Sequence, residues 1–377
     1  MKTLKKTKAW MAGALFAALL FAGCGSGGGE SDSNEVYSFS VTDSNTTDLS
    51  DAGTVEQYYY QQWYLQCDQD FCSEYLIDPE AGIDLAYDEQ VNNGGEGVTV
   101  AVIDDSLDMY HPDLEGALVA SYSIYDRSSD VNPANPSETH GTQVTGIVSA
   151  RINGKGIAGI APKSRLVFLK MSLYMSDSET VELFYKAAEL GADVINCSWG
   201  SYDVSDVVRD AIVDLATNGR DGKGIIIVFA AGNDAIDMGN DEANIPEVIS
   251  VGASDEKNDR TNYSNYGDNL DILAPGGEYM GITTLDISGY GGDAVEDLDY
   301  MLATDPNHFT GTSAAAPVTT GVIALMLAKN PNLTRDEVES LLRSTADKIG
   351  SMEYVDGFNP YYGYGKLNAA RVLEAVQ

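Results

Sequence analysis

The sequence predicts an α/β fold: a doubly wound, mostly parallel sheet flanked by helices. Three observations carry this. Five short runs are apolar and rich in β-branched residues throughout, as expected for strands buried on both faces: residues 98–103, 166–171, 193–198, 224–230 and 248–252. Helical candidates lie among them at residues 141–151, 179–190 and 204–218. The two kinds alternate, which implies crossovers between parallel strands and a site at the strands' carboxyl ends.

Taken in order, residues 98–103 end on Asp104, so a carboxylate emerges where a buried strand stops. The helix predicted over 141–151 carries Gly141 and Gly146, which allow close packing on its neighbours. Cys197 falls inside an apolar strand and reads as a buried, unpaired thiol. Near the end, Thr334 to Glu337 forms a capping box ahead of Val338, Leu341 and Leu342. No internal repeat is visible.

The first 57 residues read differently. Four lysines precede an apolar run over 9–22, shorter than the roughly 20 residues of a membrane span. A positive head, an apolar middle and a small-residue exit make residues 1–23 a secretory leader. The exit, Gly23-Cys24, resembles a bacterial lipobox, with Phe21 where Leu is commoner. That resemblance implies lipidation of Cys24 and attachment to the cell envelope, at the outer membrane in preference to the inner. Residues 25–55 are rich in Ser, Asp, Gly and Thr, so 24–57 is expected to be a flexible tether and 58–377 one domain.

Charge bounds the partners. Loss of the leader removes four lysines and no acid, taking the net charge from −36 to −40. Such a surface argues against nucleic acid as a partner and either attracts basic substrates or serves solubility in a saline habitat.

Three motifs carry chemistry. Asp104 heads AVIDDSLDMYHPDL, His140 opens HGTQVTG, and Ser313 lies in FTGTSAAAP. A serine hydroxyl needs a base to become a nucleophile, and the base needs an orienting carboxylate. The chain has three histidines, and only His140 sits in this small-residue setting.

The order Asp, His, Ser and these flanks resemble the subtilisin family of serine proteases over roughly residues 60–374. The resemblance implies a three-layer fold and serine endopeptidase activity on protein or peptide substrates. It implies that Asp104, His140 and Ser313 are a triad, and that Asn233 of Ala-Ala-Gly-Asn donates to the oxyanion. Ser198, Trp199 and Gly200 match the strand edge that pairs with substrate, Trp199 being a pocket wall or a packing residue. Ala231 and Gly232 match the opposite wall.

An acid directly after the catalytic Asp is a kexin-like feature, so Asp105 joins the substrate-binding candidates. With Asp203, Asp234, Asp237 and Asp241 it suggests basic residues before the cut, whereas residues 263–267 and 273–276 resemble ordinary subtilisins and point the other way. Ser106 departs from the family's usual Gly. A folded inhibitory pro-domain of the usual kind does not fit within residues 25–55, because domains below ~40 residues seldom fold unaided.

Asp113 of the HPDL stretch and Asn153 match the family's calcium site in spacing, making Ca²⁺ the expected cofactor. Export permits a disulfide, and Cys67 with Cys72 would close a small loop. The protein is expected to act as a monomer.

Overall fold

The computed structural model describes residues 56–85, 93–172, 174–289 and 291–377. The leader, Cys24 and residues 25–55 lie outside the described residues. Seven strands build one parallel sheet: β1 (Thr99–Asp104), β2 (Leu118–Ser123), β3 (Arg165–Lys170), β4 (Val194–Cys197), β5 (Ile226–Ala230), β6 (Ile249–Ser254) and β7 (Ile272–Pro275). Their order is β2-β3-β1-β4-β5-β6-β7. β1 therefore lies between β3 and β4, where the winding reverses. A crevice opens at the carboxyl end of such a strand. Asp104 is the last residue of β1, so topology delivers it to that crevice.

The helices are α1 (Gln69–Tyr75), α2 (His140–Ser149), α3 (Asp177–Glu189), α4 (Asp206–Gly222), α5 (Thr312–Lys329), α6 (Arg335–Thr345) and α7 (Ala369–Ala375). Side chains of β1 alternate between two cores. Val100 and Val102 join the residues of α2, α5 and α7 on one face, and Ala101 and Ile103 join those of α3 and α4 on the other. A short antiparallel hairpin, β8 (Thr284–Leu285) with β9 (Tyr300–Met301), packs β8 against Gly146 of α2.

β2, β7, the hairpin and the full length of α5 go beyond the elements expected from sequence. β2 and β7 are the sheet's two edge strands. β2 mixes serines with apolar residues, and β7 is four residues ending in Pro275, so neither shows a β-branched run. α5 is buried almost all round and has no polar face to give it a period. By length and composition it could cross a membrane, yet 83% of it is buried within the fold. The helix expected over 204–218 starts at Asp206 and reaches Gly222, but its last turn is broken: Arg220 and Asp221 take positive φ.

The first described residues are tied into the fold. Trp63, Tyr64 and Leu65 are fully buried, and the Trp63 indole donates to Gly281 O at 2.8 Å. Cys67 and Cys72 are joined by a disulfide with a Cα–Cα distance of 6.0 Å, while Cys197 is free and buried in β4. Glu56 is also buried, so the fold includes a residue that the sequence reading assigns to the tether over 24–57.

Candidate active site

Asp104 and His140 meet at the end of β1. The Asp104 carboxylate is buried, and its Oδ1 lies 2.8 Å from His140 Nδ1. The same oxygen accepts the Asp105 N–H at 2.8 Å, and Oδ2 has no protein partner. With Nδ1 committed to Asp104, Nε2 is the ring nitrogen left for a reacting group. Burial opposes a charged imidazole, but the Asp104 charge, its hydrogen bond and the Asp105 charge outweigh burial. His140 is held above its ordinary value. The Phe309 ring meets the imidazole at 78°, with centroids 5.6 Å apart.

Asp105 and Ser106 staple this carboxylate segment to the start of α2. Asp105 Oδ1 accepts the Gly141 N–H at 2.8 Å, meeting a first-turn donor that the helix itself leaves unpaired. Burial, then the Asp104 charge, raise the Asp105 carboxyl above the usual range. Ser106 is fully buried and its hydroxyl donates to Glu138 O at 2.6 Å. A serine thus fits where glycine is usual, because its Oγ has a carbonyl to bond. Gly141 has no such room: a Cβ there would lie 2.3 Å from Ser106 O.

Ser313 sits in the first turn of α5. Its hydroxyl donates to Ser198 O at 3.1 Å, and the Ser198 hydroxyl donates back to Ser313 O at 2.9 Å. The second bond has a cause in the sequence. Pro317 lacks an N–H, so the carbonyl four residues earlier, that of Ser313, is released from the helix ladder. Asn196 Nδ2 then donates to Ser198 Oγ, and Thr320 Oγ1 to Asn196 Oδ1, lacing β4 to α5.

Asn233 faces Ser313 from the loop after β5. Its Oδ1 accepts both the N–H and the hydroxyl of Thr312, at 2.8 and 2.9 Å. That turns Nδ2 toward Gly311, the N-cap of α5. A Cβ on Gly311 would lie 3.2 Å from Asn233 Nδ2 and 3.6 Å from Ser313 N. Asn233 Nδ2 and Ser313 N thus both border the space beside Gly311, with Asn233 Oδ1 at 3.5 Å from the same Cβ position, and Gly311 is at φ +127°. An oxyanion needs a pair of N–H donors. The Ser313 hydroxyl bonds Ser198 O and not His140 in this structure, but a serine at a helix start, a base oriented by a carboxylate and neighbouring N–H groups are the residue types acyl transfer needs.

Residues 95–365 match the model of the subtilase family. The chain belongs to the subtilase family. It is 31% identical over 347 residues to a calcium-dependent protease of Nostoc sp., covering 84% of this chain and 51% of that protein. It is 33% identical to a subtilisin of Bacillus pumilus, covering 73% of this chain and 90% of that one. Among solved structures, proteases from Pseudoalteromonas arctica share its fold at a TM-score of 0.69 and 26% identity, over 86% of this chain and 99% of theirs. The chain spans about half the length of the calcium-dependent protease, 51%.

The segments expected from sequence to be the two substrate walls directly follow β4 and β5. Residues 198–200 continue β4, but Trp199 is held inward. Its indole donates to Ile103 O at 2.9 Å, and its ring packs on Phe184 and Phe229. Of the two roles open to Trp199, these contacts are those of a packing residue. Opposite, Ala231 is buried, and Gly232 at φ +100° donates its N–H to Thr312 Oγ1 at 3.0 Å. The four aspartates differ in place. Asp203 accepts from Asn240 Nδ2, Asp237 from Gly239 N, and exposed Asp234 from the Tyr202 hydroxyl. Asp241 is buried directly beneath Gly200, where a Cβ would lie 2.6 Å from its Oδ2.

The loop expected from sequence to hold calcium has a neighbour that sequence reasoning missed, Glu56. Asp113 is fully buried and its Oδ1 has no protein partner. Glu56 Oε1 accepts the N–H groups of Asn153 and Gly154 at 2.7 and 2.8 Å, while Glu56 Oε2 is buried without a partner. Asn153 donates its Nδ2 to Pro112 O at 3.3 Å. Two buried carboxylates with one unmet oxygen each suit a hard cation. The signal for Glu56 in sequence was weak, a lone acid beside a polar spacer.

Proposed function

We propose that the protein is an exported, lipid-anchored serine endopeptidase that acts as a monomer on protein or peptide substrates. The observation that carries the chemistry is the placement of Asn233 Nδ2 and Ser313 N beside Gly311, in a fold that also pairs Asp104 with His140. In this reading His140 Nε2 takes the Ser313 proton as Oγ attacks the scissile carbonyl. The carbonyl oxygen becomes an oxyanion held by the two N–H donors. His140, charged and held by Asp104, then returns the proton to the leaving amine, and water repeats the cycle on the acyl-enzyme. A fluorophosphonate is expected to label the full chain and to spare Ser313→Ala. A folded wild-type chain that stays unlabelled would refute the protease reading.

Basic side chains before the cut are the favoured substrates. The support is Asp241, a buried carboxylate against Gly200, and exposed Asp234, which accepts from the Tyr202 hydroxyl. A cleavage profile on a peptide library should favour Lys or Arg, and enrichment of bulky apolar residues would count against it.

Calcium is the cofactor this reading assigns. Asp113, Asn153 and Glu56 would hold it with oxygen ligands, consistent with the two unmet carboxylate oxygens and with the name of the Nostoc relative. The ion would supply charge compensation to a very acidic chain. Residues 1–23 as a leader, Cys24 as the lipidated residue and the outer membrane as the address complete the proposal on sequence grounds.

A further inference from the structure

We infer that Asn265 is a positioning residue for the oxyanion space: it grips the backbone on both sides of Asn233 and so aims the Asn233 amide. The inference rests on the protease reading above.

Asn265 follows β6 and is 3% exposed. Its backbone N–H donates to Gly232 O at 2.9 Å. Its side-chain Oδ1 accepts two more N–H groups, from Asp234 at 3.0 Å and from Ile236 at 3.1 Å. The peptide groups immediately before and after Asn233 are therefore tied to one buried residue. The pairing continues outward along the same segment. Ala235 N donates to Tyr263 O, Tyr266 N to Ile236 O, and Met238 N to Tyr266 O.

The fit is close. Gly232 sits at φ +100°, and a Cβ on it would lie 2.3 Å from Asn265 Nδ2. Thr312 fixes the other end of the donor by bonding Asn233 Oδ1. Asn233 thus has its side-chain oxygen held from α5 and its backbone held from residue 265. Its Nδ2 is aimed by both. A donor that is displaced by a few tenths of an ångström loses the advantage of being already in place when charge develops.

The test uses the full chain, with turnover referred to active sites counted by the acylation burst, so that misfolded molecules drop out. Asn265→Ala is expected to lower kcat by roughly 10–10²-fold while KM stays within about twofold, the mark of lost transition-state binding. Asn265→Ser, a gentler truncation that also cannot reach both N–H groups, is measured in parallel. Asn265→Asp keeps an oxygen that can accept both N–H groups and should lie closer to wild type than the alanine variant does. In the Asn233→Ala background the Asn265→Ala loss should vanish, because the donor it aims is gone. Losses that multiply in the double variant, or a loss confined to KM, would overturn the assignment. So would a wild-type kcat in the alanine and serine variants. These outcomes presuppose that the wild-type chain is labelled by fluorophosphonate, so failure of the protease reading shows itself separately.

Discussion

The two halves of the proposed active site are organised by different physics. On the Asp104–His140 side the working groups are charged, and each is held by a carboxylate: Asp104 on the imidazole, Asp105 on the first turn of α2. On the Asn233–Ser313 side they are neutral N–H donors, Asn233 being held by the N–H and hydroxyl of Thr312 and by the backbone N–H and side-chain oxygen of Asn265. The first half must titrate to work, and the second must not. The acid–base half should therefore govern how activity depends on pH, and the oxyanion half how fast the saturated enzyme turns over.

Three changes test that division, from the largest expected effect to the smallest. Asn233→Ala should lower kcat by about 10²–10³-fold, with the pH profile of kcat/KM unmoved. A displaced acid limb in that variant would break the contrast. Gly311→Ala belongs to the same half, since its new Cβ would occupy the space between the two donors. Steady-state kinetics should show a comparable loss of kcat, with the acid limb again in place.

Asp105→Asn addresses the other half. The base must be neutral to accept the Ser313 proton, so kcat/KM falls as pH drops through the His140 pKa. Asp105 contributes to holding that pKa above its ordinary value. Without the charge the cation is less favoured, and the acid limb should move to lower pH by roughly half a pH unit or more. The amide oxygen of Asn can still accept from Gly141, so kcat at high pH should change by only a few fold. A limb that stays put would assign the elevation to Asp104 alone.

Chelation should touch neither half directly. Removing calcium is expected to lower Tm by roughly 5 °C or more, as loss of a ligand bound well above its Kd does. Glu56→Gln should bring the Tm of the calcium-replete protein part of the way down, measured by calorimetry. The acid limb of surviving enzyme should be unchanged. An unchanged Tm under chelation would remove the cation from this site.

Much of this was legible in the chain because the chemistry is written in short local motifs. Five buried parallel strands show as uniform apolar runs, since both their faces are covered. Asp104 can be placed at a strand end from its own neighbours, and the capping box at Thr334 predicts the start of α6. The edge strands β2 and β7 were not legible. Burial of their mixed residues depends on what packs over them. Glu56 reads as spacer until the loop carrying Asn153 is folded against it.

The sequence by itself determined the fold class, the order of the three motifs and the residue types that each step of acyl transfer needs. These follow from periodicity and from chemistry carried within a few residues. Tertiary structure alone decided which groups hold them. It brought Asp105 to the N–H of Gly141, 36 residues away, and Asn265 to both sides of Asn233. It also set Ser198 against the carbonyl that Pro317 leaves free. Such contacts join residues distant in the chain, and their worth lies in distances of a few tenths of an ångström. No local pattern encodes that; the sheet and its crossovers do.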